Sequence, residues 1–166
     1  VSQSGPWGGL MAVVPAPRSL LGWWAAAAGP TGPRATAAGV TITVVDTGRV
    51  PVIADPVRIR QMIGNLVSNA VRYTPAGGSV TLRAHVDLDT VVIDVADTGT
   101  GISADELPHI FDRFWRAEKS RSRQSGGSGL GLAIVRRLAE AHQGTVTAAS
   151  TPNVGSTFTL RLPHHS

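Results

Sequence analysis

At 166 residues, 42% hydrophobic and 16% charged, the chain has material for one core and little for a second, and folding at this size buries about two-thirds of the unfolded surface. The lack of cysteine excludes disulfides, zinc–thiolate sites, iron–sulfur clusters and thiol nucleophiles. The net charge is +4, and the single lysine, Lys119, lies outside any Gly-Lys-Ser/Thr context, which excludes a P-loop and a lysine-centred kinase signature.

The first 39 residues hold twelve glycines or prolines, three of the four tryptophans and only two charges, Arg18 and Arg34. The apolar stretch from Leu20 to Ala28 is too short to span a bilayer, and a charged leader region is missing before it. Residues 1–38 read as a poorly ordered or loosely docked segment. A sticky segment that meets a partner or a membrane surface is the alternative.

From Gly39 the pattern changes. Val40 to Val45 alternates and is β-branched, which predicts a strand, and Val50 to Ala54 predicts a short one with its proline near an edge. Asp55-Pro56 is a helix start, with Asp as N-cap and Pro at the first position. The helix to about Tyr73 is amphipathic, with Ile59, Met62, Ile63, Leu66, Val67 and Ala70 on one stripe. Its opposite stripe carries Arg58, Gln61, Asn65, Asn69 and Arg72.

Ser79–His85 and Val91–Ala96 predict a hairpin, and Asp97-Thr-Gly-Thr-Gly101 a turn. Short helices are expected from Ser103 and around His109 to Phe114. A second long helix follows Gly126-Gly-Ser-Gly-Leu-Gly131 to about Ala141, and Gly144–Ser150 and Ser156–Leu162 are the last two strands. Without a regular βαβ repeat, this order predicts a two-layer α/β sandwich: a mixed, mostly antiparallel sheet with helices on one face.

Four features can carry chemistry. Asn65 and Asn69 share one helix face, although Asn is a poor interior helix former, and an amide oxygen is a hard ligand that suits Mg²⁺. Capping or inter-helix hydrogen bonding is the structural alternative. Asp97 ends an apolar strand; it is either an ordinary turn residue or a carboxylate that accepts from an exocyclic amine. Arg113, Arg116, Lys119, Arg121 and Arg123 face only Glu118 in one segment, a local concentration of positive charge that suits a compact polyphosphate at least as well as a duplex. Gly126–Gly131 opens a helix, whose free N–H groups suit phosphate. Gly99-x-Gly101-x-x-Ala104 also matches a dinucleotide fingerprint, but the parallel βαβ context that such a site needs is not evident.

Taken in order, these features resemble the ATP-binding catalytic domain of bacterial sensor histidine kinases, in the superfamily shared with gyrase, a heat-shock chaperone and mismatch-repair ATPases. The N box resembles Asn65-Leu-Val-Ser-Asn69-Ala-Val-Arg-Tyr73-Thr-Pro, and the G1 box Asp97-Thr-Gly-Thr-Gly101-Ile. The F box resembles Ile110-Phe-Asp-Arg-Phe114, the G2 box Gly127-Ser-Gly-Leu-Gly131-Leu, and the last strand Gly155-Ser-Thr-Phe158. The resemblance covers residues 39–163, leaving 164–166 as a tail, and implies the Bergerat fold.

It also implies roles. Asn69 would bind Mg²⁺ with Asn65 assisting, and Asp97 would accept from the adenine amine. Gly99 and Gly101 would let the backbone approach the base. Tyr73 would stack near the adenine, Arg72 would face the phosphates, and Arg116 would contact the polyphosphate. Ser128, Gly129, Leu130 and Gly131 would close over the phosphates, with residues 115–127 as a lid. Hydrolysing members of the superfamily carry a glutamate where Asn65 stands, and an amide cannot act as a general base. Transfer of the ATP γ-phosphate to a histidine is therefore implied over hydrolysis.

The acceptor motif of such kinases, a histidine followed by an acidic residue, is absent. His85, His109 and His142 read as scaffold or surface residues, and His164-His165 as tail. The expectation is a fragment, or a cytoplasmic, monomeric component that acts on a separate histidine-bearing dimerisation and phosphotransfer protein and, through it, on a response regulator. Nucleic acid is not expected as a partner, and membrane contact only indirectly or through the N-terminal segment. A nucleotide-binding regulatory module without transfer activity and a serine kinase of the anti-sigma-factor type are the alternatives.

Overall fold

Alternation along the two central strands decides the architecture. Val80, Leu82 and Ala84 on one strand, and Val91, Ile93 and Val95 on the next, point the same way and are buried. A sheet with one apolar face must cover it with helices. The computed structural model describes Trp24 and residues 31–45, 55–112 and 131–163.

In chain order the elements are α1 (Thr31–Ala38), β1 (Thr41–Val44), α2 (Pro56–Arg72), β2 (Ser79–Asp87), β3 (Thr90–Asp97), α3 (Gly131–Ala141), β4 (Thr145–Thr151) and β5 (Gly155–Pro163). They build one five-stranded sheet in the order β1-β2-β3-β5-β4. β1 runs parallel to β2, and every other pairing is antiparallel. The mixed sheet and the two-layer sandwich are as the sequence predicts.

α2 starts where Asp55 and Pro56 place it. The Asp55 carboxylate accepts the Val57 N–H at 2.9 Å, and the proline occupies a position whose missing donor costs nothing. Its six predicted apolar residues, Ile59 to Ala70, are fully buried and join the strands in one core with Phe158, Leu160 and Leu162 of β5. Each buried Ile, Leu, Val, Met or Phe side chain among them contributes about 1.5–3 kcal/mol by leaving water. α3 packs on α2. Their ends are joined by His142, which is fully buried: its Nδ1 donates to the Leu138 carbonyl at 2.7 Å, and its Nε2 accepts the Asp55 N–H at 3.4 Å. His85 and His109 are exposed, and His109 pairs with Asp112 at 3.2 Å.

Two expectations need correction. Within the segment predicted to be poorly ordered, Thr31–Ala38 is a helix packed against α2, with Thr31 and Ala35 buried, and Trp24 packs on the same core. Ala35 is small enough to let the helix axis approach, and alanine is the best helix former. The helix expected from Ser103 is turns and a single 3-10 turn at Leu107–His109; of the one expected around His109 to Phe114, residues 110–112 are turn and bend, and 113–114 lie outside the described residues. Pro108 lacks the N–H a longer helix would use, and the Ser103 carbonyl already accepts from Glu106 and Leu107. The predicted strand Val50–Ala54, the basic segment 113–123 and the glycine-rich stretch as far as Leu130 lie outside the described residues.

Candidate functional site

β3 ends in Asp97, and the sheet register brings Ser156 of β5 directly beside it. Asp97 is 9% exposed. Burial pushes its carboxyl above the usual carboxylate range, and the backbone N–H groups of Gly99 and Ser156 act in the opposite direction. The Gly99 N–H reaches Oδ1 at 2.9 Å, so the turn that follows β3 folds back onto the carboxylate.

That turn needs its glycines. A Cβ at Gly99 would sit 2.4 Å from the Tyr73 carbonyl oxygen, so only glycine lets the turn run against the end of α2. The Tyr73 carbonyl accepts the Thr100 N–H at 3.1 Å. Gly101 has φ +73°, and a Cβ there would meet the Thr151 carbonyl oxygen at 2.3 Å. The turn is thereby clamped between α2 and the β4–β5 hairpin, where the Asn153 N–H also donates to the Thr100 carbonyl at 2.7 Å.

Above this floor is a cavity of about 180 Å³. Ile102, Ile110, Leu132 and Phe158 supply apolar walls, while Asn69, Asp97, Glu106, Asn153 and Ser156 supply polar atoms. Phe111 packs edge-on against Phe158, with ring centroids 6.1 Å apart and planes at 80°, so the first aromatic of the predicted F box braces the wall from behind. An apolar slot with a recessed carboxylate at its end suits a flat heterocycle whose edge donates hydrogen bonds.

Asn69, Tyr73, Asp97 and Gly101 of the predicted set line the cavity, and Gly99 lies buried behind it. Arg72 is exposed at the end of α2 and is not part of the lining. Asn65 does not line it either. Its amide nitrogen donates to the Gly131 carbonyl at 3.2 Å, tying α2 to the first residue of α3. Gly131 is exposed, and its neighbour Leu132 enters the wall. Arg116, Ser128, Gly129 and Leu130 lie outside the described residues.

Sequence reasoning missed Ser103, Glu106, Pro152 and Asn153, and it placed Thr100, Ile102, Ile110, Leu132, Ser156 and Phe158 in motifs without giving them a role in the site. The Ser156 position was recoverable, because β5 pairs with β3 and Asp97 ends β3. Among the described residues no three of His, Cys, Asp and Glu cluster to hold a metal. The donor set therefore excludes an all-carboxylate cage from these residues. It fits a cation held by one or two amide oxygens and completed by phosphate and water, as Mg²⁺ commonly is.

The sequence matches the family of histidine kinase-, DNA gyrase B-, and HSP90-like ATPases over residues 54–166. It is similar to the signal transduction histidine-protein kinase BaeS of Escherichia coli, at 39% identity over 155 residues, 93% of this chain and 33% of that protein. It is also similar to the sensor-like histidine kinase SenX3 of Mycobacterium bovis, at 45% identity over 112 residues, 68% of this chain and 27% of that one. The chain thus spans about a third or less of the length of these curated relatives. Among solved structures it resembles full-length ShkA in complex with AMPPNP, with a TM-score of 0.74 and 31% identity over 98% of this chain and 32% of that one.

Proposed function

The chain belongs to the family of histidine kinase-, DNA gyrase B-, and HSP90-like ATPases, and from that premise we propose that it is an ATP-dependent protein histidine kinase whose acceptor histidine lies on a separate chain. Its nucleotide-binding body is residues 39–163, with α1 added against it. The observation that carries the reading is the Asp97 carboxylate recessed in an apolar slot, with Asn69 on the same lining.

Asp97 accepts from the adenine amine and orients the base. Ile102, Ile110, Leu132 and Phe158 exclude water from its faces, and Tyr73 lies beside it. Asn69, assisted by Asn65, is the protein's contribution to a Mg²⁺ site. When bound, the ion neutralises charge on the phosphates. Gly131 and the preceding Ser128, Gly129 and Leu130 offer amides to the phosphates at a helix start, and Arg72 and Arg116 supply positive charge.

The reacting imidazole nitrogen forms a bond to the γ-phosphorus as the bond to the β–γ bridging oxygen breaks, and ADP leaves. No carboxylate stands at Asn65 to take a proton from water, which favours this transfer over hydrolysis. The reading puts the domain in the cytoplasm, where ATP is found. Among the described residues no helix is long and apolar enough to cross a membrane. A response regulator receives the phosphoryl group from the acceptor chain.

Mixing the protein with acceptor-domain chains and γ-labelled ATP tests the proposal. Acid-labile label on an acceptor is the expected result. Label that survives acid would point to a serine kinase, and nucleotide binding without any labelled acceptor to a regulatory module; either would overturn the transfer reading.

A further inference from the structure

Ser150 of β4 does not line the cavity, yet its hydroxyl meets three partners. The Ile102 N–H donates to Ser150 Oγ at 2.7 Å, Ser150 Oγ donates to the Gly155 carbonyl at 3.0 Å, and Ser156 Oγ lies 2.8 Å away. A serine hydroxyl has one proton and two lone pairs. When all three contacts are hydrogen bonds at once, the Gly155 carbonyl, which can only accept, takes that proton. The Ile102 N–H can only donate, so it takes one lone pair. The remaining contact then has a single polarity: Ser156 donates its hydroxyl proton to the second lone pair of Ser150.

The consequence appears in the cavity. Ser156, whose proton is directed away toward Ser150, presents only lone pairs to the lining. Its register partner is Asp97, whose ionised carboxylate also only accepts. From this proton count we infer that Ser150 is a positioning residue that fixes Ser156 as an acceptor beside Asp97, making the cavity floor an acceptor pair selective for an amino-purine over an oxo-purine edge.

The inference rests on the nucleotide-binding reading and extends it to base selectivity. A 6-oxo base turns its own acceptor toward that floor, where neither group can answer with a proton. Through Ile102, the same hydroxyl also holds the end of the Gly99–Ile102 turn to the sheet.

The test measures dissociation constants for ATP and inosine triphosphate, with chelator present, in wild type, Ser150→Ala, Ser150→Thr, Ser156→Ala and the Ser150→Ala/Ser156→Ala pair. Ser150→Ala frees the Ser156 hydroxyl to rotate and donate, and should narrow the preference for ATP by about tenfold. Ser150→Thr, which keeps the hydroxyl, should retain the preference. Removing Ser150 in the Ser156→Ala background should change the preference no further.

An ATP preference unchanged in Ser150→Ala would overturn the inference. So would an equal change in the Ser156→Ala background, which would mark a merely structural role. Should Ser150→Ala not fold, Ser150→Cys, a weak donor, carries the same expectation. Failure of the wild type to bind ATP would overturn the nucleotide reading itself, whereas intact ATP binding with an unaltered preference overturns only the role of Ser150.

Discussion

The Asp97 carboxylate accepts the Gly99 N–H at 2.9 Å across two residues, so one group shapes the turn and also forms the cavity floor. Burial raises its pKa above the ordinary carboxylate range, against the lowering effect of the Gly99 and Ser156 amides. In an unfolded chain the same carboxyl ionises at lower pH. Its contribution to stability is therefore present below the unfolded pKa and lost as pH rises through the raised folded value.

Asp97→Asn should separate function from stability. An amide oxygen can still accept the Gly99 N–H, and the cost of burying charge disappears, so the midpoint of thermal unfolding at neutral pH should hold or rise. ATP affinity should fall by at least about tenfold, because the acceptor becomes able to present a donor. Calorimetry and thermal melts on one preparation check both halves.

The raised pKa also sets a pH dependence. ATP affinity should weaken as pH falls toward the raised Asp97 value, because a protonated carboxyl no longer offers two acceptor oxygens to the base. In Asp97→Asn that contribution to the slope should vanish. Titrations at several acidic pH values, over a range in which circular dichroism shows both proteins folded, measure it.

Gly101→Ala should cost about 1–3 kcal/mol. The position has φ +73°, and the new Cβ would fall 2.3 Å from the Thr151 carbonyl oxygen, so either the turn or the β4–β5 hairpin must move. Urea unfolding reads the cost, and weaker ATP binding should accompany it because both elements frame the cavity.

Asn69→Ala should weaken Mg²⁺–ATP more than metal-free ATP, if the Asn69 amide on the cavity lining holds the metal as proposed. Calorimetry with and without chelator gives the difference. Equal weakening in both would assign Asn69 to the base or to packing.

His142→Ala should destabilise the fold by about 2–5 kcal/mol without touching the cavity. It leaves a void between α2 and α3 and removes the acceptor of the buried Asp55 N–H. Urea unfolding should shift while the nucleotide affinity of the folded protein stays at the wild-type value.

The parts of the fold legible in the sequence are those set by local chemistry. Asp55-Pro56 and the apolar stripe of α2, the β2–β3 alternation, and the run of α3 to Ala141 all follow from spacing and residue type. Asp97, Asn69, Tyr73 and Gly101 converge because the boxes that carry them lie at element ends that the sheet brings together.

Other features depend on contacts between distant residues. α1 was hidden because a glycine and proline count over the whole N-terminal segment averages away eight helical residues. The hydrogen bond from Asn65 to Gly131 spans 66 residues, and the bond from Ile102 to Ser150 spans 48. Neither leaves a local trace. Both become visible only once the register of the sheet and the packing of α2 on α3 are known.

The most direct measurement is a crystal structure with a non-hydrolysable ATP analogue and Mg²⁺. The account predicts the adenine amine about 2.7–3.2 Å from the Asp97 carboxylate, a hydrogen-bond distance, with the metal on the Asn69 amide oxygen. An analogue bound elsewhere, or a base seated in the cavity with its amine turned away from Asp97, would contradict it.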